Sequence, residues 1–146
     1  MSNIVWSPQL ATGNPKIDSE HKELIRIANA LLRSMSEGRS KNDFSKILHE
    51  LREYTVLHFN NEEEFMRSVN YPDIRKHMDE HTELKRKVKD FQRDLFLGQD
   101  VDFVRLREML REWLVGHILE CDLKIKTFLL AQAESRKSPP EPKEQV

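Results

Sequence analysis

Five of the six histidines in this 146-residue chain, together with Glu62, stand where a helix would place its buried face. His21 heads a run of Leu24, Ile25, Ala28, Leu31, Leu32 and Met35. His58 and Glu62 fall in line with Phe44, Leu48, Leu51, Thr55 and Phe65. His77 and His81 join Ile74, Leu84, Val88, Phe91 and Leu95, and His117 follows Phe103, Leu106, Leu110 and Trp113. These residues recur at steps of three and four, the period of an amphipathic helix. A carboxylate or imidazole left unpartnered in such a stripe is costly. One inward histidine is ordinarily a hydrogen-bonded core residue. Five of them with a carboxylate, drawn from four stripes, are satisfied most economically by shared metal coordination. The spacing agrees, because His58/Glu62 and His77/His81 are each four residues apart and so share a helix face.

Asp122 lies five residues after His117, about 140° around an ideal α-helix. The apolar pattern nevertheless resumes as Asp122, Ile125 and Leu129, shifted by one position. A single π-type turn between His117 and Asp122 would return the carboxylate to the inner face, with Gly116 easing it. Five imidazoles give five bonds and two bridging carboxylates give four. A bridging hydroxide or oxide adds two, for eleven of the twelve positions that two octahedral ions such as iron require. The arithmetic describes a dinuclear site with one vacancy, suited to a small diatomic ligand.

The elements that position these donors can be read from proline and glycine. Pro8, Pro15, Pro72, Pro139, Pro140 and Pro142 leave 16–71 and 73–138 free of proline, while Gly38 and Gly98 follow helical patterns as C-terminal stops. Four helices result, over about 18–37, 41–66, 73–96 and 102–133. Asp18 is expected to cap the first, Asn42 or Asp43 the second, and Tyr71-Pro72-Asp73 sets up the third. No strand pattern of any length occurs. The expected fold is all-α, an antiparallel up-down-up-down four-helix bundle. One domain spans 1–133, including an irregular N-terminal arm over 1–17, and a polar, Pro-rich, disordered tail fills 134–146.

Composition narrows the function classes. Charged residues make up 34% of the chain and the net charge is -1, which gives no footprint for nucleic acid or anionic lipid. No apolar run approaches a membrane span, and the N-terminus lacks the pattern of a signal peptide. The single cysteine, Cys121, excludes a disulfide framework and fits a reducing compartment. A cytoplasmic location is the expectation.

The residues resemble the hemerythrin family, in particular its standalone bacterial members. The resemblance covers residue 6 to about 130. It is carried by Trp6, Gly13, Ile17-Asp18-x-x-His21, His58-Phe59-x-x-Glu62-Glu63, Met66, Tyr71-Pro72, His77-x3-His81 and Trp113-Leu114-x-x-His117-Ile118-x3-Asp122. It implies two non-haem irons joined by a hydroxo or oxo bridge. His77, His81 and His117 would fill one iron, His21 and His58 would hold the five-coordinate one, and Glu62 and Asp122 would bridge. The implied function is reversible O2 binding for transport, storage or sensing, with O2 held as hydroperoxide at the vacancy. Ile25, Phe59, Trp113, Leu114 and Ile118 stand beside the ligands as the expected O2 pocket wall, with Phe59 and Ile25 near the five-coordinate iron. One departure is Ile125, where many relatives carry a tyrosine.

Two alternatives stand beside this. The same centre could act as an enzyme on NO or peroxide, or the protein could handle iron. Binding is favoured over oxidation because no histidine has a glutamate three residues before it, unlike ferritin-like di-iron sites. Two carboxylates and a hydroxide against two Fe²⁺ also leave a net +1, a poor setting for high-valent iron. His77-Met78-Asp79-Glu80-His81 matches a metalloprotease string, but it leaves the other inward histidines unexplained, and Glu80 is expected to face solvent. A mononuclear zinc site would leave surplus donors. His49 is expected at the surface, Cys121 is read as a small packing residue, and in Asn60-Asn61-Glu62-Glu63-Glu64 only Glu62 is expected to point inward. Lys85-Arg86-Lys87 reads as a solvated face.

Overall fold

The computed structural model describes residues 4–38, 40–100 and 102–137. Four rods form the bundle: α1 (Pro15–Ser36), α2 (Lys41–Ser68), α3 (Ile74–Phe96), and a fourth rod of three parts. That rod starts as α4 (Phe103–Arg111), passes through a π-helical segment (Glu112–Asp122) and continues as α5 (Leu123–Lys137). Short connections make successive rods antiparallel, and α1 touches both α2 and the fourth rod. No strand occurs among the described residues, and no helix there is long and apolar enough to cross a membrane.

Local chemistry sets the boundaries. Pro15 occupies the first turn of α1, where its missing N–H costs nothing, and the side chain of Asn14 accepts from the N–H groups of Lys16 and Ile17. Asn14 is therefore the cap, not Asp18, and the helix begins inside the expected 1–17 arm. Asp18 instead ties down the arm, accepting from Thr12 N at 2.7 Å, Thr12 Oγ1 at 2.8 Å and Gly13 N at 3.3 Å. Ser40, rather than Asn42 or Asp43, caps α2 by accepting from Asp43 N–H, and Asp102 caps α4. Gly38 and Gly98 follow α1 and α3 at φ +66° and +77°, a conformation that favours glycine and ends the helices as expected. The fourth rod runs to Lys137, so 134–137 is helical, and the rest of the expected tail, 138–146, lies outside the described residues.

The arm closes one flank of the bundle. Asn29 bonds both backbone groups of Ile4, and the Lys22 ammonium lies 4.3 Å from the Trp6 ring centre.

Apolar residues form two unequal layers. The larger joins Leu24, Leu31, Leu48, Leu51, Leu106 and Leu110, all essentially inaccessible, with Val88 and Trp113. The smaller packs Met66, Tyr71 and Ile125 against Phe65, Ile74, Phe128 and Leu129. Each fully buried aliphatic side chain contributes about 1.5–3 kcal/mol. Along α2, α3 and the fourth rod the inward polar residues fall between the two layers, and His21 of α1 lies at the same level.

Replacing Asp18 by Ala removes a charged acceptor serving three donors. It should lower unfolding free energy by about 1–3 kcal/mol in urea titrations while leaving helix content unchanged.

Candidate metal centre

The polar layer holds His21 from α1, His58 and Glu62 from α2, His77 and His81 from α3, and His117 and Asp122 from the fourth rod. None is more than 6% exposed, and Glu62 and Asp122 are at 0%. Asp122 reaches this layer because the fourth rod is wound more loosely here. Leu123 N–H donates to the carbonyl of Ile118, five residues back, and the wide turns extend over eleven residues rather than the single turn expected. Gly116 is not sterically required, since a Cβ there would meet nothing within 4 Å.

The two carboxylates lie between two sets of imidazoles. Glu62 Oε1 is 2.7 Å from His77 Nε2, 3.0 Å from His81 Nε2 and 4.0 Å from His117 Nε2. Its other oxygen, Oε2, is 3.6 Å from His21 Nε2 and 3.4 Å from His58 Nε2. Asp122 divides the same way, with Oδ1 at 2.8 Å from His77 and 3.1 Å from His117, and Oδ2 at 2.7 Å from His21. Two donor groups follow: Glu62, His77, His81, His117 and Asp122, and His21, His58, Glu62 and Asp122. In each, the ligand atoms lie within 4.8 Å of one another, close enough to hold a metal ion.

Many of these atoms approach one another closely without forming a hydrogen bond. Both ring nitrogens of His21, Nε2 of His117, Oε2 of Glu62 and both oxygens of Asp122 are buried without a hydrogen bond. Buried polar atoms are rarely left so, and six in one layer are what a pair of cations would satisfy. Without metal the layer balances itself by proton uptake. Burial opposes charge on His21 and His77, but the carboxylates of Asp122 and Glu62 close beside them outweigh it and raise each pKa to about 10. Burial likewise opposes charge on Glu62, yet the surrounding imidazoles hold its carboxyl well below the usual range. Asp122 is also held low: burial and the Glu62 charge push it up, and His117 and His21 overcome both.

An outer ring of carboxylates corrects the sequence reading. His58 Nδ1 meets Glu20 at 3.0 Å, His81 Nδ1 meets Glu63 at 3.0 Å, and His117 Nδ1 meets Glu80 at 3.2 Å. Each of these turns the opposite nitrogen inward and makes it a better donor. Glu63 therefore points to the layer as well as Glu62, and Glu80, although half-exposed, does not simply face solvent. The Cys121 thiol donates to Glu80 rather than merely packing; burial and that carboxylate push its pKa up to about 12. Adjacency to an inward donor is the one trace of these three glutamates in the sequence, and it does not identify their partners. Glu20, Glu63 and Glu80 each adjoin an inward donor, about 100° around the helix, and each reaches the histidine of the next rod. They also add negative charge absent from the +1 sum, so that sum no longer argues against oxidation chemistry.

Around the layer, Ile25, Phe59, Trp113, Leu114 and Ile118 are all buried in the larger apolar layer. Phe59 stacks on His81 with ring centres 3.8 Å apart, and its centre is 5.8 Å from that of His58. It thus adjoins both donor groups, not only the one containing His58. Ile125 packs with Met66 and Tyr71. His49 sits at the surface beside Glu53, as expected.

Residues 12–129 match the family described as "Hemerythrin HHE cation binding domain". A bacteriohemerythrin of Pseudomonas paraeruginosa is 32% identical over 122 residues, covering 84% of this chain and 78% of that protein. A bacteriohemerythrin of Clostridium acetobutylicum is 31% identical over 82% of this chain and 95% of its own length. The crystal structure of a wild-type hemerythrin superposes with a TM-score of 0.79 at 28% identity, covering 86% of this chain and 97% of that one. The chain belongs to the hemerythrin family.

Proposed function

We propose that this protein binds O2 reversibly at a di-iron centre, for transport, storage or sensing, in a reducing cytoplasm. The observation that carries this reading is the division of each inner carboxylate: one oxygen faces His77 and His117, the other faces His21. Glu62 and Asp122 are thereby suited to bridge two ions 

held by His77, His81 and His117 on one side and by His21 and His58 on the other. Two irons held there would supply the reversible two-electron chemistry that O2 binding and release require.

The chain's own residues do the rest. Glu20, Glu63 and Glu80 fix the ring orientation of His58, His81 and His117 through their Nδ1 atoms. Ile25, Phe59, Trp113, Leu114 and Ile118 form a dry wall that excludes water. The unit that performs this is 1–133, with the helical extension to Lys137 outside the donor layer. The family relationship and the apolar wall favour binding over turnover.

Anaerobic loading with Fe²⁺ should give two irons per chain by metal analysis, and cycles of O2 and inert gas should change the colour reversibly. Catalytic consumption of NO or peroxide under the same conditions would instead assign an enzyme. His58→Ala leaves the second donor group with one imidazole, and it should abolish reversible O2 binding while circular dichroism stays helical. Unchanged O2 affinity in that variant would refute the assignment of the vacancy.

Proton linkage gives metal-free and loaded protein opposite pH responses. The raised pKa values of His21 and His77 favour the metal-free fold below the unfolded value of 6.5, a gain lost as pH climbs from there to about 10. In the loaded protein the imidazoles are neutral and the carboxylates ionised, so acid releases the metals. Thermal melts across pH 5–10 should therefore slope downward for the metal-free form, whereas iron retention should fall only on acidification.

A further inference from the structure

We infer that divalent metal reaches the centre through the seam between α3 and the fourth rod, where Glu80 and Cys121 beside His117 first hold it. This rests on the di-iron reading above and adds a route and a holding place to it.

Three observations converge on this seam. First, clefts of about 540, 240 and 80 Å³ open along it, and the largest and smallest reach the donor layer. The largest has His117 and Trp113 in its lining, and the smallest has His77. Glu80 lines both of these clefts and Cys121 the smaller, and His117 and His77 are the two most exposed imidazoles of the donor layer.

Second, charge is segregated between neighbouring seams, although the whole chain carries only -1. Asp79, Glu80, Glu83, Glu112 and Glu120 line the large cleft against two lysines. The groove between α2 and α3 is lined instead by Lys41, Arg52, Lys85, Arg86, Lys89 and Arg93, with Asp90 as its one acid. Lys85 and Arg86, a solvated face in the sequence, thus belong to a basic groove. A cation is repelled from that side and collected by the acidic one.

Third, Glu80, His117 and Cys121 offer oxygen, nitrogen and sulfur atoms within 4.8 Å of one another, a mixed donor set suited to divalent transition metals. The His117 side chain is only 5% exposed, and its Nε2 has no hydrogen-bond partner. Its ring spans the wall, with Nδ1 toward Glu80 and Nε2 toward Asp122 at 3.1 Å. An ion held by Glu80 and Cys121 is therefore one imidazole's width from the donor layer. Binding to sulfur displaces the thiol proton to the buffer, and the proton returns when the ion moves on.

Cobalt(II) is the probe, mixed with full-length metal-free protein at low ionic strength in a stopped-flow spectrometer. Ligand-field absorption reports arrival at the centre, and near-ultraviolet sulfur-to-cobalt absorption reports the holding place. In the wild type the sulfur band should rise first and decay as the ligand-field bands grow. Glu112→Lys with Glu120→Lys, at the cleft lip and away from the donor layer, should slow uptake about tenfold and flatten its salt dependence. The final two metals per chain should be unchanged. Glu50→Lys with Glu53→Lys, on α2, should leave the rate as it was. The pair Glu112→Gln and Glu120→Gln, expected to slow uptake less, covers the case in which the lysines disrupt the rod. Cys121→Ser should lose the transient band and keep the final spectrum. Equal uptake rates in wild type and lip variants would overturn the route, and a wild type with no sulfur band would overturn the holding place. Both failures would leave two metals bound and the di-iron reading intact; a wild type that takes up no metal would remove that reading as well.

Discussion

The structure depends on a single constraint: seven ionisable side chains must share one dry layer between two apolar ones. Taken singly, each would be expelled or neutralised, because removing charge from water costs several kcal/mol and the interior offers no solvent to replace it. Together they supply what each lacks, since carboxylates and imidazoles of opposite tendency face one another within ion-pair range. Helix boundaries, rod order and the loosened winding near Asp122 can all be understood as means of bringing these groups to one level.

Much of this was legible because helical periodicity is a strong signal and polar residues in an apolar stripe stand out against it. His21, His58, Glu62, His77, His81 and His117 declared themselves by position alone. Asp122 needed the further inference of a shifted register, and the shift is real but spread over eleven residues. The outer glutamates were hidden because a residue next to an inward one looks exposed on a helical wheel. Its true partner lies on another rod, and sequence spacing within one helix contains no information about that neighbour. The caps failed for a related reason. Asn14 and Asp18 are both plausible acceptors, and only the path of the arm decides that Asp18 is occupied by Thr12 and Gly13.

The outer glutamates also follow a rule around the bundle. Glu20 of α1 supports a histidine of α2, Glu63 of α2 supports one of α3, and Glu80 of α3 supports one of the fourth rod. The sequence of supports stops there. Among the described residues no side chain of the fourth rod bonds the outer nitrogen of His21, and that nitrogen is buried without a hydrogen bond. Imidazoles with a carboxylate behind them are more electron-rich than one without. Two of the three imidazoles in the larger donor group and one of the two in the smaller have such a carboxylate, and in the smaller group His21 is the one without.

The loosened winding of the fourth rod sets limits on how this chain can vary in length. Insertions and deletions are ordinarily absorbed by surface loops, while the middle of a helix tolerates neither. Between His117 and Asp122 the rod carries one residue more than regular α-helical spacing requires. Deleting it would leave the aspartate four residues after His117, where an ordinary α-helix already holds both on one face, so the wide winding accommodates a surplus residue and a chain one codon shorter could keep the same donors on straighter helix.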